Sequence, residues 1–185
     1  MSYTTYRVLD RQKDLRIIEL PAGIRTLKML GVDLRKKGIR PIPKTLQLPY
    51  TQLIITPSAV FCTQSLEPME SYDSNVTFPI LPNIYNNFAF CTGELADRSE
   101  KEIADSFYLS EWGLPDMWSC KTILPKIFKE ATPQLAVRTW EILTKNNPEL
   151  IFLNIKQKCS FVPLQFVIKA KVELSHNGNI VPVEK

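Results

Sequence analysis

Leu46-Gln47-Leu48-Pro49-Tyr50-Thr51-Gln52-Leu53-Ile54-Ile55 has the apolar, β-branched composition of a strand. Its single proline marks an edge or a bulge, because proline has no N–H to give to a ladder. After the Thr56-Pro57-Ser58 turn, Ala59-Val60-Phe61-Cys62 reads as a second short strand, and Val76-Thr77-Phe78 as a third. The polar stretch between them, Glu67 to Asn75, reads as an exposed loop.

Working back toward the N-terminus, Tyr6–Leu9 and Leu15–Leu20 flank a charged turn, Asp10 to Asp14, in the manner of a β-hairpin. Ile24, Leu27 and Leu30 recur at helical spacing and are stopped by Gly31, so a helix is expected there. Pro41 and Pro43 punctuate the basic loop beyond it.

Toward the C-terminus, Ser99 with Glu102 forms a capping-box pattern ahead of Ile103, Ala104 and Phe107. Thr132-Pro133 is a helix start, since proline at the first helical position gives up no needed hydrogen bond. That helix carries Ala136, Trp140 and Leu143 on one face and should stop at Asn147, before Pro148. Phe166, Ile168, Ala170, Val172 and Leu174 alternate with Val167, Lys169, Lys171 and Glu173, the period of a strand. Asn177-Gly178 then supplies a tight turn into a return strand from Ile180 to Val183. The expectation is one α+β domain over residues 1–185, with a mostly antiparallel sheet of hairpins and helices packed on one side.

Bulk composition fits. In 185 residues, 44% are hydrophobic and 23% charged, which is enough apolar surface for a core and excludes a disordered chain. Fourteen prolines argue for short elements and ordered loops, not for a helical bundle. Met1–Thr5 is polar and lacks an apolar h-region, and no apolar run approaches the length of a membrane span. A cytoplasmic protein without membrane contact is expected, with its four well-separated cysteines free.

The same arithmetic excludes much chemistry. One histidine, His176, leaves no Ser-His-Asp triad and no histidine metal site, so no metal is expected. Six glycines form neither a phosphate loop nor a dinucleotide turn, and no cofactor is expected. The net charge of +4 is unevenly placed: residues 1–45 hold eleven Lys/Arg against four Asp/Glu. Arg35, Lys36, Lys37 and Arg40 form the densest run, a candidate binding cluster for phosphates or an acidic partner. With no base-reading motif beside it, a nucleic-acid-associated protein ranks last among the readings.

The candidate site is Phe78-Pro79-Ile80-Leu81-Pro82-Asn83-Ile84-Tyr85-Asn86-Asn87-Phe88-Ala89-Phe90-Cys91-Thr92-Gly93. Pro82, Asn83, Ile84, Tyr85 and Cys91 match the active-site segment of ubiquitin-conjugating enzymes, with Asn83 eight residues before Cys91 as in that family. The chain more closely resembles their bacterial relatives, the family of PRTRC system protein B, through Cys91-Thr92-Gly93 and the later Ser106-Phe107-Tyr108-Leu109-Ser110. The likeness spans about residues 46–113, and Pro82–Gly93 is its specific part. It implies a conjugating-enzyme-like fold, Cys91 as the thioester-forming residue, Asn83 as the oxyanion support and Tyr85 as a binding residue. The partners implied are a ubiquitin-like modifier and its activating enzyme. Three positions depart from the pattern: Leu81 replaces a histidine, Phe88 stands at a glycine turn, and Ser99 stands at a tryptophan. These departures keep an alternative open, an inactive interaction module among the protein subunits of a plasmid, phage or bacterial assembly. Tyr85 and Phe90 are expected in the core on either reading.

Overall fold

The structure is a computed structural model describing residues 5–30, 41–81, 84–85, 87–90, 97–113 and 122–176. Strand β1 (Arg7–Arg11) turns back into β2 (Arg16–Leu20), as the hairpin pattern predicts, with Arg7 opposite Glu19 and a bulge between Val8 and Asp10. Next come β3 (Gly23–Leu30), β4 (Ile42–Leu48), β5 (Tyr50–Ile55), β6 (Val60–Ser65) and the short β7 (Asn75–Thr77).

β2 pairs with β5 and β3 with β4, and the two pairings share one register: Leu20 lies opposite Thr51, and Gly23 opposite Leu48. The chain therefore forms one long antiparallel ribbon. Its ladder is interrupted at Pro21–Ala22 on one strand and at Pro49 on the other, where no proline N–H is available to bridge. Past that break the distal half turns away and starts a second sheet. The expected single strand from Leu46 to Ile55 is thus two strands, hinged at the proline.

The helix expected at Ile24–Leu30 is the strand β3. Its burial alternates, with Leu27 and Met29 inside and Ile24 out, so the helical spacing of Ile24, Leu27 and Leu30 is coincidental. Pairing with β4 along seven consecutive positions decides the conformation.

The remaining elements are α1 (Glu100–Leu109), β8 (Glu111–Gly113), α2 (Leu124–Phe128), α3 (Pro133–Asn146), α4 (Glu149–Lys158), β9 (Phe161–Pro163) and α5 (Leu164–His176). The capping box of Ser99 and Glu102 opens α1, and the Thr132 side chain accepts from Leu135 N at the start of α3, which stops at Asn147 as its sequence predicts. The Lys129 backbone, left-handed at φ 54°, ends α2.

The strand expected around Phe166–Leu174 is the helix α5. Among its described side chains Leu164, Val167 and Lys171 are buried, at helical spacing, while Phe166 is 61% exposed. Its first turn is held from outside: Leu164 N donates to Ser74 O at 3.0 Å and Gln165 N to Tyr72 O at 2.9 Å. The turn and return strand expected beyond it, residues 177–183, lie outside the described residues.

The larger sheet runs β1-β2-β5-β6-β7-β9, with every neighbouring pair antiparallel. The smaller runs β4-β3-β8, with β8 parallel to β3. Alternation along the strands creates two faces. Ile18, Leu20, Leu53, Val60 and Cys62 meet the smaller sheet and α1 to α4 in the main core, which includes Phe107, Trp112 and Trp140. Ile17, Ile54, Phe61 and Val76 point the other way, to Leu164 and Val167 of α5. The class is α+β, mostly antiparallel, with helices packed on the sheets.

The exposed edge of β4 is sealed by α3. Trp140 Nε1 donates to Gln47 O at 2.9 Å, and Gln47 N donates to Thr144 Oγ1 at 2.8 Å. The 67–75 stretch is largely exposed, as its polarity predicts, with a local exception at Met69. Met69 is buried, Asn75 already belongs to β7, and Met69 N donates to Glu19 Oε2 at 2.9 Å. No helix among the described residues is long and apolar enough to cross a membrane.

Candidate functional site

The segment singled out in the sequence forms a small hairpin arm on β6. Ile84 and Phe90 bridge antiparallel. Tyr85 N donates to Ala89 O, and Phe88 N donates to Tyr85 O, each at 2.9 Å. The Asn87 side chain accepts from Ala89 N at 3.0 Å. Phe88 closes the turn at φ 70°, in the left-handed region. A hairpin turn that ends in that conformation normally has glycine at this position.

The return limb docks on the start of β6. Cys62 N donates to Phe88 O and Phe90 N to Val60 O, both at 2.8 Å, and Ala89 lies opposite Phe61. Side chains alternate along this limb. Phe90 enters the main core, its ring 5.3 Å from Trp112 in a stack and 5.3 Å from Phe107 at a tilt. Phe88 goes to the other face, 4.8 Å from Phe78.

Lys171 of α5 meets the arm there. Its Nζ lies 5.2 Å from the Phe88 ring centroid and 5.5 Å from that of Phe61. Burial pushes the pKa of this amine below its ordinary value, and the two aromatic faces offer the charge partial compensation. The sequence alone does not show this contact. Read as a strand, the segment gives Lys171 no reason to approach Phe88. The signal that was present is the Asn86-Asn87 pair between apolar residues, a composition suited to a turn.

Among the expected site residues, Tyr85 sits on the arm and is 46% exposed, so the core expectation for it fails: it flanks the turn. Phe90 is in the core as expected. Asn83 and Cys91 lie outside the described residues, as do Arg35, Lys36, Lys37 and Arg40. Of the expected site residues, the structure thus places Tyr85 alone. Chain order puts the basic run in the connection between β3 and β4, and Cys91 directly after the anchored Phe90. The chain is again described from Asp97, two residues before the Ser99 cap of α1.

Two other thiols are described, and both are free. Cys62 is fully buried and its thiol is pushed far up by desolvation, which makes it a core residue and no nucleophile. Cys159 is half-buried and raised mainly by burial. Among the described residues no three of His, Cys, Asp or Glu group to hold a metal ion. Comparison of the chain with known protein families, characterised proteins and solved structures finds no match.

Proposed function

We propose that the chain is a ubiquitin-conjugating-enzyme-like protein that carries a ubiquitin-like modifier as a thioester on Cys91. The observation that carries this reading is the backbone at Phe88. Conjugating enzymes place a glycine turn at this point of the segment, and here the left-handed conformation at φ 70° is kept although the residue is phenylalanine. A non-glycine residue in that region costs about 1–2 kcal/mol, so keeping it implies that the shape of the hairpin matters for the placement of Cys91. The stack of Phe90 on Trp112 adds support, because it fixes the chain immediately before Cys91.

The chemistry is two acyl transfers. The Cys91 thiolate attacks the modifier's carbonyl on an activating enzyme; a new S–C bond forms, and the activating enzyme's thiolate leaves and takes up a proton. A lysine amine of the substrate then attacks the Cys91 thioester, an amide forms, its amine proton is lost to solvent, and the Cys91 thiol is regenerated. The Asn83 side-chain amide donates to the oxyanion of each intermediate, a type of contact that is worth about 3 kcal/mol elsewhere.

One observation favours the second reading, a non-catalytic interaction module. Leu81, in place of the histidine, is fully buried in the main core, so apolar packing holds the approach to Asn83 where the family uses a polar residue.

Alkylation of the native protein, with each cysteine quantified by mass spectrometry, separates the two. The thioester reading expects rapid labelling of Cys91 and none of Cys62. It also expects a protein-sized adduct on chain isolated from its own cells, released by thiols and absent from Cys91→Ala. If Cys91 is protected until denaturation, it is a core residue and the interaction module stands.

A further inference from the structure

A cleft of about 340 Å³ opens where β7 and β9 meet α2 and the end of α4. Its volume falls in the range of small-molecule sites. Phe78, Phe88, Ile127 and Val162 give it apolar walls. Lys126 and Lys158 also line it, Lys126 exposed and Lys158 half-buried. The ion pairs found among the described residues involve neither lysine. Asp and Glu are missing from the described lining, so the charges it carries are those of the two lysines. Thr77 and Cys159 stand together in the wall. The Thr77 hydroxyl is buried without a hydrogen-bond partner of normal geometry, and that hydroxyl and the Lys126 charge partly offset the rise that burial imposes on the Cys159 thiol.

We infer that this cleft binds a small amphipathic anion, an aromatic or aliphatic body with one carboxylate, sulfonate or phosphate group. The apolar body lies against Phe78, Phe88 and Val162, and the anionic head lies between Lys126 and Lys158. An apolar cavity alone would take a neutral ligand equally well. Two lysines with no carboxylate partner among the described residues favour the anion, because binding it breaks none of those ion pairs. The inference does not rest on the thioester reading, since none of its residues is Cys91 or Asn83.

The test uses anilinonaphthalene sulfonate as the anionic probe and phenylnaphthylamine, the same body without the sulfonate, as the neutral one. Fluorescence titration of the native chain should show one saturable sulfonate site. In the Lys126→Ala/Lys158→Ala double variant its affinity should fall roughly tenfold, as expected for losing two partly solvated charge contacts, while the neutral probe binds both proteins alike. Cys159 serves as a reporter: its alkylation by N-ethylmaleimide should slow when the sulfonate site is saturated. Non-saturable binding, equal sulfonate affinity in the double variant, or an unchanged Cys159 rate each overturns the inference.

Discussion

The long β2–β3/β4–β5 ribbon and the arm from Ile84 to Phe90 are both antiparallel hairpins, yet they are held by different means. The ribbon is held by its own residues. One register runs through both sheets, and alternate side chains fill two cores. Its break at Pro21 and Pro49 follows from residues inside it. The arm is held by others: two hydrogen bonds to β6, the rings of Phe107 and Trp112, and Lys171 of α5. Even its turn relies on Phe88 adopting a conformation that phenylalanine disfavours. A self-sufficient ribbon is a scaffold. An arm shaped by its surroundings is where a site can be positioned, because strained backbone persists only when the surrounding structure fixes it.

The largest effect should come from the polar seam inside the ribbon. Glu19 is buried and accepts from Arg7 Nη2 at 2.7 Å, Gln52 Nε2 at 3.0 Å and Met69 N at 2.9 Å. Gln52 Nε2 in turn donates to Ser65 Oγ at 2.8 Å, and Thr63 Oγ1 donates to Gln52 Oε1 at 3.1 Å. Glu19→Ala leaves the Met69 N–H buried without an acceptor, which should cost about 2–3 kcal/mol in urea unfolding. Glu19→Gln keeps an acceptor and the shape, and should cost about half as much. If the two variants are equally mild, the seam is not what ties the 66–69 loop to the sheet.

The same contrast explains what could be read in advance. Ser99 with Glu102 and Thr132 with Pro133 announce their helices because a cap is a local chemical arrangement. Gly23–Leu30 and Leu164–His176 mislead because their apolar residues fit both periods. Leu27 and Met29 satisfy a strand as well as Leu27 and Leu30 satisfy a helix. Leu164, Val167 and Ile168 fit a helix as well as Phe166, Ile168 and Ala170 fit a strand. Partners outside each segment break the tie, β4 for the first and the Tyr72–Ser74 loop for the second. At the candidate site, the segment itself stands out by its residues. Its supports, Phe61, Phe107, Trp112 and Lys171, come from four other elements, and nothing in the segment names them.

Phe88 offers the sharper test of the arm. Replacing it by alanine or glycine removes the same ring contacts with Phe78 and Lys171. The difference between the two variants therefore isolates the backbone. At an ordinary position alanine is the more stabilising residue. At φ 70° the order should reverse, with Phe88→Gly about 1 kcal/mol more stable than Phe88→Ala in denaturant titration. Equal stabilities, or a more stable alanine variant, would remove the left-handed turn and with it the main support for the conjugating-enzyme reading.

The smallest effect lies at the outer strand, where Tyr72 donates its hydroxyl to the Asp10 carboxylate at the end of β1. That bond is the main reason the Asp10 carboxyl sits below its ordinary value, with help from Gln12 and the Arg11 N–H. The Tyr72 phenol moves the opposite way, to about 12, through burial first and the Asp10 carboxylate second. For the carboxyl, a folded pKa below the unfolded one gives stability that is complete above the ordinary value of 3.8 and lost as pH falls through the folded value. For the phenol, a folded pKa above the unfolded one gives stability that is complete below 10.0 and lost as pH rises through about 12. Tyr72→Phe should therefore cost about 1 kcal/mol or less, since the pair is largely solvated. The cost should be flat between those limits and shrink at both ends, measured as the wild-type-minus-variant difference in unfolding free energy across pH. A difference that stays constant into acid would mean that the hydroxyl packs at this edge of the ribbon without holding the carboxylate.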